Sequence, residues 1–174
     1  QRFLDSWNED QTFADAFQRS TVWVYQSLTP RIGSATLSEW LRAFAYGNAD
    51  TGGLERVSDY WLVGPLKISA AEQVAFLTRL QRRALPLSEA TYEAALPMMV
   101  ERVDESWTLY AKSGWKSIKD ETDIGWYVGW LEQTGGQAPG TYVFAMNMDM
   151  ETPENDIKKR RSVVYQAFAD IGAW

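Results

Sequence analysis

Ile124-Gly125-Trp126-Tyr127-Val128-Gly129-Trp130-Leu131-Glu132 is the stretch that decides the fold. It reads as a β-strand. Ile124, Trp126, Val128 and Trp130 fall on one face, and Tyr127, Gly129 and Leu131 on the other, because side chains alternate along a strand. Both faces are apolar, so both need cover. Ser106–Gly114 before it and Thr141–Asp149 after it also read as strands. Gly135-Gly136-Gln137-Ala138-Pro139-Gly140 joins the second to the third. Connections this short imply antiparallel pairing.

Helices supply the cover. Thr12 to Leu28 carries apolar residues at helical spacing, and Pro30 and Gly33 mark its end. Thr36-Leu37-Ser38-Glu39 fits a capping box opening a helix to about Ala45, with Gly47 as a left-handed stop. Ser69-Ala70-Ala71-Glu72 fits a second box, with Arg79, Arg82 and Arg83 toward the helix end, where the dipole favours cations. Pro86 breaks the chain, and Ser88 caps a helix to about Leu96. Thr152-Pro153 starts a last helix to about Ile171. The pattern is α+β: an α/β/α sandwich, its antiparallel sheet covered by helices on both faces. There is no internal repeat or low-complexity linker, so residues 1–174 read as one domain.

Composition narrows the chemistry. The 174 residues are 45% hydrophobic and include nine Trp, eight Tyr and seven Phe, enough for a sizeable core and an aromatic-lined cleft. The formal net charge of −6 offers no electrostatic footprint for nucleic acid. No stretch approaches the roughly 20 apolar residues of a membrane span. There is no cysteine and no histidine. That excludes disulfides, thiolate and imidazole metal sites, a Cys nucleophile and a Ser-His-Asp triad within these residues. No metal or organic cofactor is expected. Acid–base work falls to Lys, Asp, Glu or Tyr.

Three short motifs could carry chemistry. Lys112-Ser113-Gly114-Trp115 ends a strand. There an ammonium and a hydroxyl can converge on a ligand carboxylate, Gly admits a close substrate, and the following amide can donate to an oxyanion. Alone, the triplet is common by chance. Ser20-Thr21-Val22 lies within the first helical stretch, where a plain helical Ser is the simplest reading. Tyr46-Gly47-Asn48 follows a helix as an ordinary stop. The basic run Lys158-Lys159-Arg160-Arg161 reads as a solvated helix turn.

Together these motifs resemble the class D serine β-lactamases. The likeness rests on Ser20-Thr21-Val22 with Trp23-Val24-Tyr25-Gln26, then Tyr46-Gly47-Asn48, Tyr60-Trp61-Leu62-Val63-Gly64 and Ile68-Ser69-Ala70-Ala71-Glu72-Gln73. It continues through Lys112-Ser113-Gly114-Trp115, Ile124-Gly125-Trp126 with Val128-Gly129-Trp130, and Phe144-Ala145-Met146-Asn147-Met148-Asp149-Met150. They follow in family order over nearly the whole chain. The resemblance implies a β-lactamase/transpeptidase-like fold and hydrolysis of β-lactam antibiotics. Ser20 would shuttle a proton toward the β-lactam nitrogen. Lys112 and Ser113, with Gly114, would orient the substrate carboxylate. The Trp115 amide would serve the oxyanion hole, and Arg160 would bind carboxylate. Val22, Trp61 and Leu62 would line the pocket of a lysine carboxylated by CO2, a base that needs no imidazole.

The family's nucleophile is the Ser of an S-x-x-K motif upstream of S-x-V, and no such motif precedes Ser20. The chain also starts at Gln1 without Met. It is therefore expected to be an incomplete domain, inactive alone, whose whole protein carries that segment. Ser113-Gly114-Trp115-Lys116 does match S-x-x-K. On a strand, however, residues three apart point to opposite faces, so this match is expected to be accidental. The implied partner is a small-molecule β-lactam, with neither nucleic acid nor membrane, acting as monomer or homodimer in the periplasm or outside the cell. The alternatives are a penicillin-sensing receptor domain that stays acylated and a binding module without chemistry. Substrate spectrum would depend on the loop between Gly114 and Ile124 and on residues upstream of Gln1.

Overall fold

The computed structural model describes residues 4–135 and 138–174. Gly136 and Gln137, in the expected connection between the second and third strands, lie outside the described residues. The chain divides into two compact units, residues 1–67 with 88–99, and residues 68–87 with 100–174.

The first unit is helical: α1 (Phe13–Gln18), α2 (Val22–Ile32), α3 (Ser34–Ala43) and α5 (Glu89–Ala95), with α4 (Ala70–Gln81) belonging to the second unit. Thr12 caps α1 through a reciprocal box with Asp15, the Asp15 amide donating to Thr12 Oγ1 at 3.2 Å and the Thr12 amide to Asp15 Oδ2 at 2.9 Å. The single helix expected from Thr12 to Leu28 is broken. Ser20 is left-handed at φ 54°, and Thr21 is fully buried with its hydroxyl donating to Gln11 Oε1 at 2.7 Å. Burying and satisfying Thr21 in this way takes the chain out of the helix, which periodicity alone does not register. The expected capping box at Thr36 is also corrected. Gly33 (φ 88°) precedes α3 directly, so Thr36 and Glu39 lie inside the helix. The left-handed Gly47 (φ 52°) after α3 is as expected. Asn48 then pins the next loop, donating to Pro65 O at 2.9 Å and accepting from the Lys67 amide at 3.0 Å.

The second unit is a four-stranded antiparallel sheet with helices on it. β1 (Val100–Val103), β2 (Trp107–Lys116), β3 (Asp123–Gln133) and β4 (Gly140–Met150) lie side by side in chain order. β2, β3 and β4 match the expected strands to within a few residues. β1 was not foreseen, since four residues flanked by charges show too little alternation. On one face Leu109, Ala111, Tyr127 and Leu131 form the core with Val164, Phe168 and Ala173 of the C-terminal segment. The helices here are α6 (Pro153–Asp156) and α7 (Lys159–Asp170), a split of the single helix expected from Pro153. On the other face lie the buried Trp130, stacked on Tyr110 at 4.8 Å, and Glu132. Here α4 (Ala70–Gln81) lies against β3 and β4, and Gln81 Nε2 donates to Glu132 Oε1 at 3.3 Å. Ser69 caps α4 with the expected box, the Ser69 amide donating to Glu72 Oε2 at 2.8 Å. The sheet is thus covered on both faces, as its apolar alternation requires.

Candidate active site

Strand register places the Lys112 triplet. β2 pairs with β3 residue for residue from Trp107↔Gln133 to Lys116↔Ile124. β1 stops pairing at Val100↔Tyr110. Residues 111–116 therefore have β3 on one side and no strand of the sheet on the other.

The hydrogen-bond parity decides which main-chain groups face that open edge. The Thr134 amide donates to Ser106 O at 2.7 Å, so even-numbered β2 positions bond to β3. On the other side the Asp104 amide donates to Trp107 O at 2.8 Å, so odd-numbered positions point toward β1. Beyond the end of β1, the main-chain groups of Ser113 and Trp115 aim into the open edge. Lys112 Nζ reaches the same edge, donating to Ser113 O at 3.0 Å.

Lys112 is half-buried, and its ammonium is pulled down from the usual lysine value to about 8. Burial is the main cause. Arg161 and Arg160 add repulsion, and Glu101 opposes them. Arg160 is brought to the triplet from α7. It is 5% exposed, donates from Nε to Ile157 O at 3.1 Å, and donates from Nη1 to Gly114 O. Gly125 makes the room: a Cβ there would lie 2.7 Å from Arg160 Cδ and would strike Met150 Sδ. Arg160 is therefore not the solvated residue that its basic run suggests. Asp156 anchors the approach to α7, accepting from the Thr152 amide at 3.0 Å and pairing with Lys159 at 2.6 Å. The Lys159 contact, then the Thr152 amide, hold its carboxyl below the usual range.

Trp115 donates its indole N–H to Asp123 Oδ2 at 2.7 Å, and Lys116 pairs with Glu121 at 2.8 Å across the β2–β3 connection. Ser113 through Lys116 all lie in β2, so the accidental S-x-x-K has strand geometry and no helix start.

The remaining sequence-assigned residues belong to the first unit. Ser20 sits in the break between α1 and α2, and its amide donates to Phe17 O at 3.2 Å. Val22 opens α2 and is half-buried. Trp61 and Leu62 are half-buried in the turn after Asp59, the Leu62 amide donating to Asp59 O at 2.9 Å and Trp61 meeting Tyr60 edge-on at 5.1 Å.

Residues that sequence reading passed over surround the triplet's supports. Glu101 accepts from Tyr127 Oη at 3.0 Å, Tyr165 Oη at 3.1 Å and Arg161 Nε at 3.0 Å. Nothing in the run of charges around it marks Glu101 out. No cluster of acidic side chains suited to a metal occurs among the described residues, and no described helix is long and apolar enough to cross a membrane.

Residues 1–169 match the family described as penicillin binding protein transpeptidase domain. The chain is 36% identical over 166 residues to β-lactamase OXA-2 of Salmonella typhimurium, covering 95% of this chain and 56% of that protein. It is 38% identical over 153 residues to β-lactamase OXA-48 of Klebsiella pneumoniae, covering 88% and 55%. Among solved structures it superposes on the class D β-lactamase YbXI from Nostoc with a TM-score of 0.93 at 34% identity, covering all of this chain and 70% of that one. The class D enzyme FUS-1 (OXA-85) from Fusobacterium nucleatum gives 0.91 at 32%, covering 99% and 69%. The chain thus spans a little over half the length of the curated relatives it matches.

Proposed function

We propose, from the premise that this chain belongs to the penicillin-binding-protein transpeptidase family in its class D β-lactamase branch, that the whole protein hydrolyses β-lactam antibiotics through a serine acyl-enzyme. The carrying observation is the Lys112-Ser113-Gly114 triplet on β2 past the end of β1, with Arg160 buried behind Gly114.

Each group has a defined task in this reading. A β-lactam carries a carboxylate beside its strained amide. The Lys112 ammonium and the Ser113 hydroxyl bind that carboxylate, and the buried Arg160 adds positive charge behind Gly114. The outward Trp115 amide donates to the lactam oxygen, whose negative charge grows as a serine hydroxyl adds to the carbonyl. The C–N bond then breaks, and Ser20 relays a proton to the departing nitrogen. This leaves a serine ester, which water cleaves to free the opened acid. The serine and its base belong to an S-x-x-K motif that does not occur ahead of Ser20 in these 174 residues. That lysine, carboxylated by CO2, supplies the base. Val22 and Leu62 suit its apolar walls, and the Trp61 indole N–H suits a carbamate oxygen. We place the whole protein in the periplasm or outside the cell, as a monomer or homodimer with no nucleic-acid or membrane partner.

The test is hydrolysis of a chromogenic β-lactam by the whole protein, with and without bicarbonate. Turnover that bicarbonate raises is expected. No turnover in either condition overturns the proposal. A stable one-to-one adduct would instead identify a penicillin sensor. The 174-residue chain alone is expected to form no adduct by mass spectrometry.

A further inference from the structure

Glu101 occupies a bulge. Val100 pairs with Tyr110 but Arg102 pairs with Leu109, so Glu101 is the extra residue of β1. A bulge re-aims side chains. Here two successive residues serve the α7 side of the sheet. Arg102 lies over Trp107 and Trp174, at 5.4 and 5.5 Å, while Glu101 turns to Tyr127, Tyr165 and Arg161. Arg161 approaches with both arms of its fork, Nε at 3.0 Å and Nη2 at 3.3 Å, and its guanidinium lies 5.5 Å from the Tyr127 ring centre. Tyr127 is fully buried and pairs with Ser113 across the ladder. One carboxylate therefore ties β1, β3 and α7 together directly behind the triplet. Arg161 is also the chain neighbour of Arg160, whose guanidinium ends at Gly114.

We propose that Glu101 is a positioning residue for the carboxylate-binding subsite, clamping and neutralising Arg161 so that Arg160 is held at Gly114 and Lys112 keeps its positive charge. This rests on the β-lactamase reading for its consequence, but not for its physical content. Among the charged groups acting on Lys112 are Arg160 and Arg161 from α7 and Glu101 from β1, and the phenols of Tyr127 and Tyr165 bond to the same carboxylate. Two of the three charges repel the ammonium. Glu101 alone of the three attracts it, and it also neutralises one of the two repelling charges.

The experiment uses the whole protein and two readouts. The first is the titration midpoint of Lys112, followed by amine-selective labelling without substrate. The second is the pH dependence of KM and kcat for a chromogenic penicillin. Glu101→Gln keeps the shape and removes the charge. It is expected to lower the Lys112 midpoint by about one unit, and so to raise KM near pH 8 by about five- to tenfold, with kcat within threefold. Arg161→Gln alone is expected to raise the midpoint, and Glu101→Gln with Arg161→Gln to bring it back near the wild-type value. An unmoved midpoint in Glu101→Gln, or a double variant no better than Glu101→Gln, overturns the proposal. If Glu101→Gln does not fold, Arg161→Gln decides alone, and an unmoved midpoint there has the same force. Absence of β-lactam turnover at every pH would remove the β-lactamase reading and leave the labelling result standing.

Discussion

Lys112-Ser113-Gly114 lies in a strand whose ten residues pair one for one with β3, whereas Ser20 lies at a left-handed break between a helix of six residues and one of eleven. The triplet is placed by repetition. Each residue along β2 fixes the face and the hydrogen-bond direction of the next, so parity alone sends the Trp115 amide to the open edge. Ser20 is placed by exception. A residue at φ 54° costs free energy and persists because the buried Thr21 and its bond to Gln11 hold the turn. The triplet thus rests on cooperative backbone pairing, while the break at Ser20 rests on local contacts such as that of Thr21 with Gln11.

The contrast can be broken at the triplet first. Lys112→Ala in the whole protein should lower kcat/KM by about 10²- to 10³-fold, similar in size to losing one oxyanion donor, and a drop below tenfold in steady-state assays would undo its assigned role. Next comes the scaffold. Gly129→Ala places a Cβ 2.8 Å from Ala111 Cα and against the Tyr110 carbonyl, so β2 and β3 must part. A loss of about 3 kcal/mol in denaturant unfolding is expected, with kcat/KM falling alongside. An unchanged midpoint of unfolding would show that the pairing tolerates slack.

The pH response separates binding from stability. Lys112 titrates near 8 in the folded protein and near 10.5 when unperturbed. As pH rises above 8 the Lys112 ammonium is lost, so under its proposed carboxylate-binding role KM should climb about tenfold per pH unit. Over the same window the unfolded chain binds more protons than the folded one, so this group's contribution to stability should improve with pH. KM and stability moving in opposite directions across this window would contradict the assignment.

The helix starts give smaller effects. Ser69→Ala removes a formed cap and should cost about 1 kcal/mol, whereas Thr36→Ala, inside α3, should stay within about 0.5 kcal/mol. Equal costs would restore the box expected at Thr36. Smallest is Ser20→Gly, which relieves a left-handed residue and should stabilise by about 0.5 kcal/mol while slowing turnover. Destabilisation would mean that the serine side chain, and not the Thr21 contact, holds the turn.

What could be read early follows the same division. The alternation of residues 124–132, the caps at Ser69 and Ser88 and the glycine after α3 are local signals, and each appears where expected. The capping pattern at Thr36 is equally local and failed, because Gly33 lets α3 follow α2 with no intervening loop. Arg160 was singled out by family resemblance, while its charge run suggested a solvated turn. Its burial depends on Gly125 leaving space across the sheet, a relation between positions 35 residues apart.

The sequence by itself determined the chemistry that these residues allow and the class of fold. Removing every histidine and cysteine leaves lysine and hydroxyl chemistry, and a strand apolar on both faces demands two helical layers. Only the tertiary structure decided the arrangement around the triplet. The end of β1 bares the Ser113–Trp115 edge, the bulge at Glu101 turns a carboxylate onto Arg161, and the gap at Gly125 admits Arg160 to Gly114. Composition and periodicity act over a few neighbouring residues, whereas burial, charge compensation and an open strand edge arise only when distant segments meet.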